Sequence, residues 1–146
     1  MPRALQHCGL LVGDLAASRR FYGDALGLDE VPRPSNFTFA GAWFRAGVDE
    51  VHLISADDTT GIPGLPEQGR AVHVGLTTHL AFEVESLDRS CARLAEHGVE
   101  LAGGPMERGD GVEQVYVHDP DGYVVELFQV TGEQQADAPE RAPMRE

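Results

Sequence analysis

Four side chains of metal-ligand type fall at matching places in two halves of this sequence. His7 and His79 each open a short apolar run, 72 residues apart, and His52 and Glu126 each precede a leucine in a later run, 74 residues apart. Because side chains alternate across a strand, Val51-His52-Leu53-Ile54 and Val125-Glu126-Leu127-Phe128 would each send the polar group to one face and its apolar neighbours to the other. A lone strand histidine is ordinarily a satisfied, half-buried residue, and a lone glutamate a solvated one. Four in register are different, since three imidazoles and a carboxylate that converge would hold one divalent metal ion. That ion would also compensate the carboxylate for leaving water. The donor set suits zinc, nickel, cobalt, manganese or iron(II), with open positions left for a substrate.

Other polar residues carry less. Glu50 lies two residues before His52 on the same strand face and is read as a solvated acid rather than an alternative ligand. His73, His97 and His118 have no counterpart in the other half and are expected to be structural or exposed. Asp119 and Asp121 belong to Asp119-Pro120-Asp121-Gly122, a sequence that makes turns. Arg45, Arg108 and Tyr116 are read as solvated or packing residues rather than pocket lining, and Trp43 and Phe39 as core or pocket wall.

The elements that must position the four candidates repeat as well. Residues 5–12, LQHCGLLV, read as a strand, and Asp14 is placed to cap a helix whose apolar face is Leu15, Phe21, Tyr22, Ala25 and Leu26, closed by Gly27. Gly23 weakens that helix. Extended runs near 28–32, 37–46 and 50–55 follow. The pattern restarts at His79, with Ser86 as the second cap, Leu87, Cys91, Leu94 and Ala95 as the helical face, and Gly98 as its end. Strands are expected near 99–103, 112–118 and 123–130. Asp14 and Ser86 are again 72 residues apart, and Gly27 and Gly98 are 71 apart. The fold class is therefore α+β, a duplicated βαβββ unit whose curved mixed sheets each need a neighbour to bury an apolar face. The first module is expected over 1–55, a linker or site-covering loop over 56–78, the second module over 79–131, and a disordered tail over 132–146.

Composition excludes several functions. With 11 basic against 24 acidic residues and a formal charge of -13, the chain is a poor match for a phosphate backbone, so nucleic acid is not an expected partner. Each apolar run is interrupted too early to span a bilayer, and no export signal is visible, so no membrane partner is expected. Cys8 and Cys91 are too few for a disulfide framework and fit a reducing, cytoplasmic setting.

The chain resembles the vicinal oxygen chelate superfamily, which includes glyoxalase I, methylmalonyl-CoA epimerase, extradiol dioxygenases, fosfomycin-resistance thiol transferases and bleomycin-binding proteins. The likeness spans about residues 5–130. Its carriers are His7 with Val12-Gly13-Asp14-Leu15, Phe21-Tyr22 before Leu26-Gly27-Leu28, His79-Leu80-Ala81-Phe82, and Asp119-Pro120-Asp121-Gly122 leading to Glu126-Leu127. The resemblance implies paired modules forming a cup around one metal, which chelates vicinal oxygens of a small-molecule substrate. His7, His79 and Glu126 match its three-ligand pattern. His52 stands where glyoxalase-like members have a carboxylate and epimerases a glutamine. Glu126 would be the carboxylate able to leave the metal and take a proton from carbon. A homodimer with exchanged modules is implied too, one site drawing His7 and His52 from one subunit and His79 and Glu126 from the other. The expected activity is that of a glyoxalase-like lyase or isomerase. The alternatives are a ferrous extradiol-type dioxygenase using His7, His79 and Glu126, thiol transfer to a small electrophile, and a non-catalytic drug- or ligand-binding protein.

Overall fold

The structure, a computed structural model, describes residues 1–64 and 73–132. Contacts divide the chain into two units, Met1–Gly64 and Leu65–Glu146. Both follow the expected βαβββ order, so the α+β duplication read from the sequence is present. Among the described residues, no helix is long and apolar enough to cross a membrane.

In the first unit, β1 (His7–Val12) leads to helix α1 (Leu15–Arg19), capped by Asp14, whose carboxylate accepts the Ala17 N–H at 3.0 Å. The expected helix to Gly27 is present but changes pitch. Residues Arg20–Ala25 form a π turn, with the Leu26 N–H bonded to the Phe21 carbonyl at 2.9 Å. Gly23 has a reason to be there: a Cβ on it would stand 3.1 Å from Phe44 Cε1, so glycine lets this turn approach the sheet. Strands β2 (Asp29–Val31), β3 (Gly41–Ala46) and β4 (Asp49–Ser55) complete a sheet ordered β1-β4-β3-β2, in which β1 and β4 are parallel. The expected strand over 37–46 begins only at Gly41. Residues before it turn back instead, with the Phe37 N–H on the Pro34 carbonyl and Phe37 packed edge-on to Phe39 and Trp43. Leu10, Val12, Ala42, Phe44, Val51 and Leu53 are buried, as are Phe21, Tyr22 and Ala25 of the helical segment. This apolar side leaves the opposite face of the strands to His7, Glu50, His52 and Trp43.

The second unit repeats the scheme. Strand β5 (His79–Glu83) precedes α2 (Leu87–Glu96), whose cap Ser86 accepts the Arg89 N–H at 3.2 Å. Strands β6 (Gly103–Glu107), β7 (Val112–His118) and β8 (Val124–Val130) form a sheet ordered β5-β8-β7-β6, again with one parallel pair, β5 and β8. The strand expected at 99–103 lies later. Val99 still donates its N–H to the Leu94 carbonyl at 2.9 Å, so its backbone belongs to the helix end and pairing starts only at Gly103. Val115, Val117, Val125 and Leu127 are buried together with Leu87 and Leu94 of α2. Alternation then places Gln114, Tyr116 and Glu126 on the other face. Asp119 closes the β7–β8 turn as expected, accepting the N–H groups of Asp121 and Tyr123 at 2.9 Å each. The stretch 56–78 holds short 3-10 turns at Ala56–Asp58 and Val74–Leu76. Its residues 65–72, and the expected tail from residue 133 onward, lie outside the described residues.

Candidate functional site

The four candidates form two pairs, one in each unit. In the first, the parallel register of β1 and β4 places His7 beside Glu50 and His52 two residues further on. The imidazole of His52 lies between two rings: Trp43, at 3.8 Å between centroids and 1° between planes, and His7, at 4.2 Å and 13°. Its Nε2 meets Glu50 Oε2 at 2.7 Å. Glu50 also accepts from Arg45 Nη2 at 3.0 Å. The sequence reading of Glu50 as a solvated acid is thus corrected, because its side chain is only 9% exposed and its partners are specific. The hydrogen bond from His52, with Arg45 adding to it, holds the Glu50 carboxyl below the usual carboxylate range.

In the second unit, Glu126 on β8 has its side chain 3% exposed. Cross-strand pairing puts it directly opposite Tyr116 and beside Ala81, two residues from His79. His79 Nε2 stands 3.1 Å from Glu126 Oε2, while Arg108 Nη1 donates to Oε1 at 3.2 Å. Arg108 is itself held by Asp110, through Nε at 3.1 Å to both carboxylate oxygens and Nη2 at 2.9 Å. The ring of Tyr116 meets His79 edge-on at 5.9 Å, and a Cβ on Gly75 would come within 2.8 Å of the tyrosine hydroxyl. Burial, followed by the negative charge of Glu126, pushes the Tyr116 phenol up, so it stays protonated and can donate. Reading Arg108 and Tyr116 as merely solvated or packing residues therefore fell short for both. The signal available was register: Tyr116 is the residue paired with Glu126. Burial pushes the Cys8 and Cys91 thiols up, with Asp88 and Glu113 adding to it at Cys91, which disfavours the thiolate form of both. Within neither unit do three His, Cys, Asp or Glu side chains stand in metal-holding geometry among the described residues.

The donors nonetheless fit a metal. Each of the three imidazoles has one nitrogen engaged by an oxygen, and the tautomer follows from that partner. His7 Nδ1 meets Gln6 Oε1, His52 Nε2 meets Glu50, and His79 Nδ1 meets the Thr77 carbonyl at 2.7 Å. Such partners orient ligating histidines and leave the other nitrogen for the ion. Two donors sharing an ion at about 2.0–2.2 Å each lie about 3–3.5 Å apart, which the 3.1 Å between His79 Nε2 and Glu126 Oε2 satisfies without movement.

A family model described as the glyoxalase/bleomycin resistance protein/dioxygenase superfamily matches residues 4–127. Among curated relatives, glyoxylase I 4 of Arabidopsis thaliana is 29% identical over 125 residues, covering 85% of this chain and 69% of that protein. A lactoylglutathione lyase of Salmonella typhimurium is 29% identical, covering 86% and 91%. Among solved structures, a glyoxalase/dioxygenase from Nostoc punctiforme superposes with a TM-score of 0.73 at 27% identity, covering 89% and 92%.

Proposed function

Because the chain belongs to the glyoxalase/bleomycin resistance protein/dioxygenase superfamily, we propose that it is a divalent-metal-dependent lyase or isomerase acting on a small oxygen-bearing molecule. His7, His52, His79 and Glu126 hold the ion in this reading, drawn from one chain or from two chains of a homodimer. The observation that carries it is the buried Glu126 carboxylate standing at ligand-pair distance from His79 Nε2. Burying a carboxylate is costly unless cations or hydrogen bonds compensate it, and a dication shared with imidazoles does so while leaving room for substrate. When bound, the metal supplies Lewis-acid polarisation of substrate oxygens.

The chain's own residues supply the rest. Glu126 would take a proton from the carbon next to the substrate oxygen and return it, as a carboxylate held within reach of that proton can. Tyr116, protonated and opposite Glu126, donates a hydrogen bond to a substrate oxygen. Relatives named as lactoylglutathione lyases support the lyase class. A ferrous dioxygenase is the second reading. It is favoured by the stacking of His52 on Trp43, which would hold that imidazole back from the ion and leave His7, His79 and Glu126 as a facial triad.

Protein purified without tag or chelator should carry about one equivalent of divalent metal per site by elemental analysis, and His79→Ala should lose most of it. Nickel or zinc would support the lyase or isomerase, and iron the dioxygenase. No metal in either protein, even after reconstitution, would overturn both enzyme readings and leave a ligand-binding module.

A further inference from the structure

Glu126 has two oxygens with different partners. Oε2 faces His79 Nε2, and Oε1 is taken by Arg108 Nη1 at 3.2 Å. The guanidinium does not reach there by chance of a loose side chain. Its Nε and Nη2 are both fixed by Asp110, and its carbon lies 5.4 Å from the centre of the Phe128 ring, two residues along β8 from Glu126. Asp110 follows β6 in the β6–β7 hairpin, so the hairpin and the strand hold the arginine from two sides.

Resting on the metal reading above, we infer that Arg108 is a positioning residue that occupies Oε1 and presents only Oε2 of Glu126 to the metal, with Asp110 fixing the arginine in turn. A carboxylate free to rotate would offer either oxygen or both, and would spread its orientation over geometries that do not meet His79 Nε2. Hydrogen bonds from outside the ligand set remove that freedom, and their loss typically weakens metal binding about 10- to 100-fold.

This role makes a claim about sign. If Arg108 acted on the ion only through its charge, Arg108→Ala would remove a repulsion and tighten binding, whereas Asp110→Asn would weaken it. Positioning requires both variants to weaken it. The double variant should then be no worse than Arg108→Ala alone, because Asp110 acts through the arginine. Arg108→Lys should recover part of the loss by keeping one donor for Oε1.

The experiment is calorimetric titration of the chelator-treated full chain with zinc(II), for wild type, Arg108→Ala, Arg108→Lys, Asp110→Asn and the double variant. Thermal unfolding in chelator confirms that each is folded, and substitution of the half-exposed Asp110 is the one least able to perturb the fold. Weakening of about 10- to 100-fold in Arg108→Ala, less in Asp110→Asn, with a non-additive double variant, is expected. Unchanged or tighter zinc binding by Arg108→Ala in a chain whose wild type binds zinc would overturn the positioning role alone. Absence of zinc binding in wild type would instead remove the metal reading on which it rests.

Discussion

Glu126→Gln is expected to weaken metal binding by about 100-fold or more, since loss of a ligand exceeds the 10- to 100-fold typical for loss of a ligand's hydrogen-bond partner, while the metal-free protein stays about as stable as wild type. The two halves of this result have separate causes. A neutral amide is a poor ligand for a divalent ion, and its nitrogen turns a donor toward Arg108 or His79. Stability is another matter, because removing one member of a buried ion pair is severe only when it strands a buried charge. Here the stranded groups are Arg108 and His79, whose side chains are 39% and 28% exposed, so water takes over their solvation. Relieving the buried carboxylate of its desolvation offsets what remains. Titration calorimetry and urea unfolding without metal read the two effects separately. A variant that binds metal within about threefold of wild type would remove Glu126 from the ligand set.

Phe44→Ala should show the opposite profile, with a loss of about 3–5 kcal/mol in urea unfolding. Phe44 is 2% exposed and packs 6.5 Å from the Tyr22 ring, under the π turn that Gly23 allows to come close. Removing the ring leaves a cavity that the sheet and turn cannot close without breaking the pairing of β3 with β4, where Phe44 lies opposite Val51. A loss under about 1 kcal/mol would mean that the turn collapses into the space and that packing here is looser than described.

How far the sequence could be read follows from which interactions are local. The helix caps Asp14 and Ser86, the turn at Asp119 and the duplicated order all depend on residues close in sequence or on a fixed repeat, and all are found. The pairings of His7 with His52 and of His79 with Glu126 follow from that repeat, since parallel β1–β4 and β5–β8 pairs bring first and last strands together in each unit. The sequence was silent on groups whose role depends on a partner across a strand pair. Glu50 looked like an exposed acid until register set it between His7 on β1 and Arg45 on β3, and Arg108 looked like a surface arginine until the β6–β7 hairpin brought it to Glu126. The late starts of β3 and β6 have a related origin. Phe37 and Phe39 are apolar enough for a strand but spend their side chains on an aromatic cluster, and the Val99 N–H is taken by the Leu94 carbonyl at a helix end.

The central claim is that the donor pairs of the two units serve the same ion, and the single tryptophan offers a direct reading of it. Trp43 is stacked at 3.8 Å on His52 in the first unit, whereas Glu126 belongs to the second. Paramagnetic cobalt(II) bound through His52 should quench the indole, saturating near about one equivalent in wild type. With a shared ion, Glu126→Ala moves that quenching to cobalt concentrations at least about 100-fold higher, although the substitution leaves the first unit untouched. Quenching of Trp43 at the same cobalt concentration in both proteins would show that the first unit binds metal without Glu126, and would contradict the account.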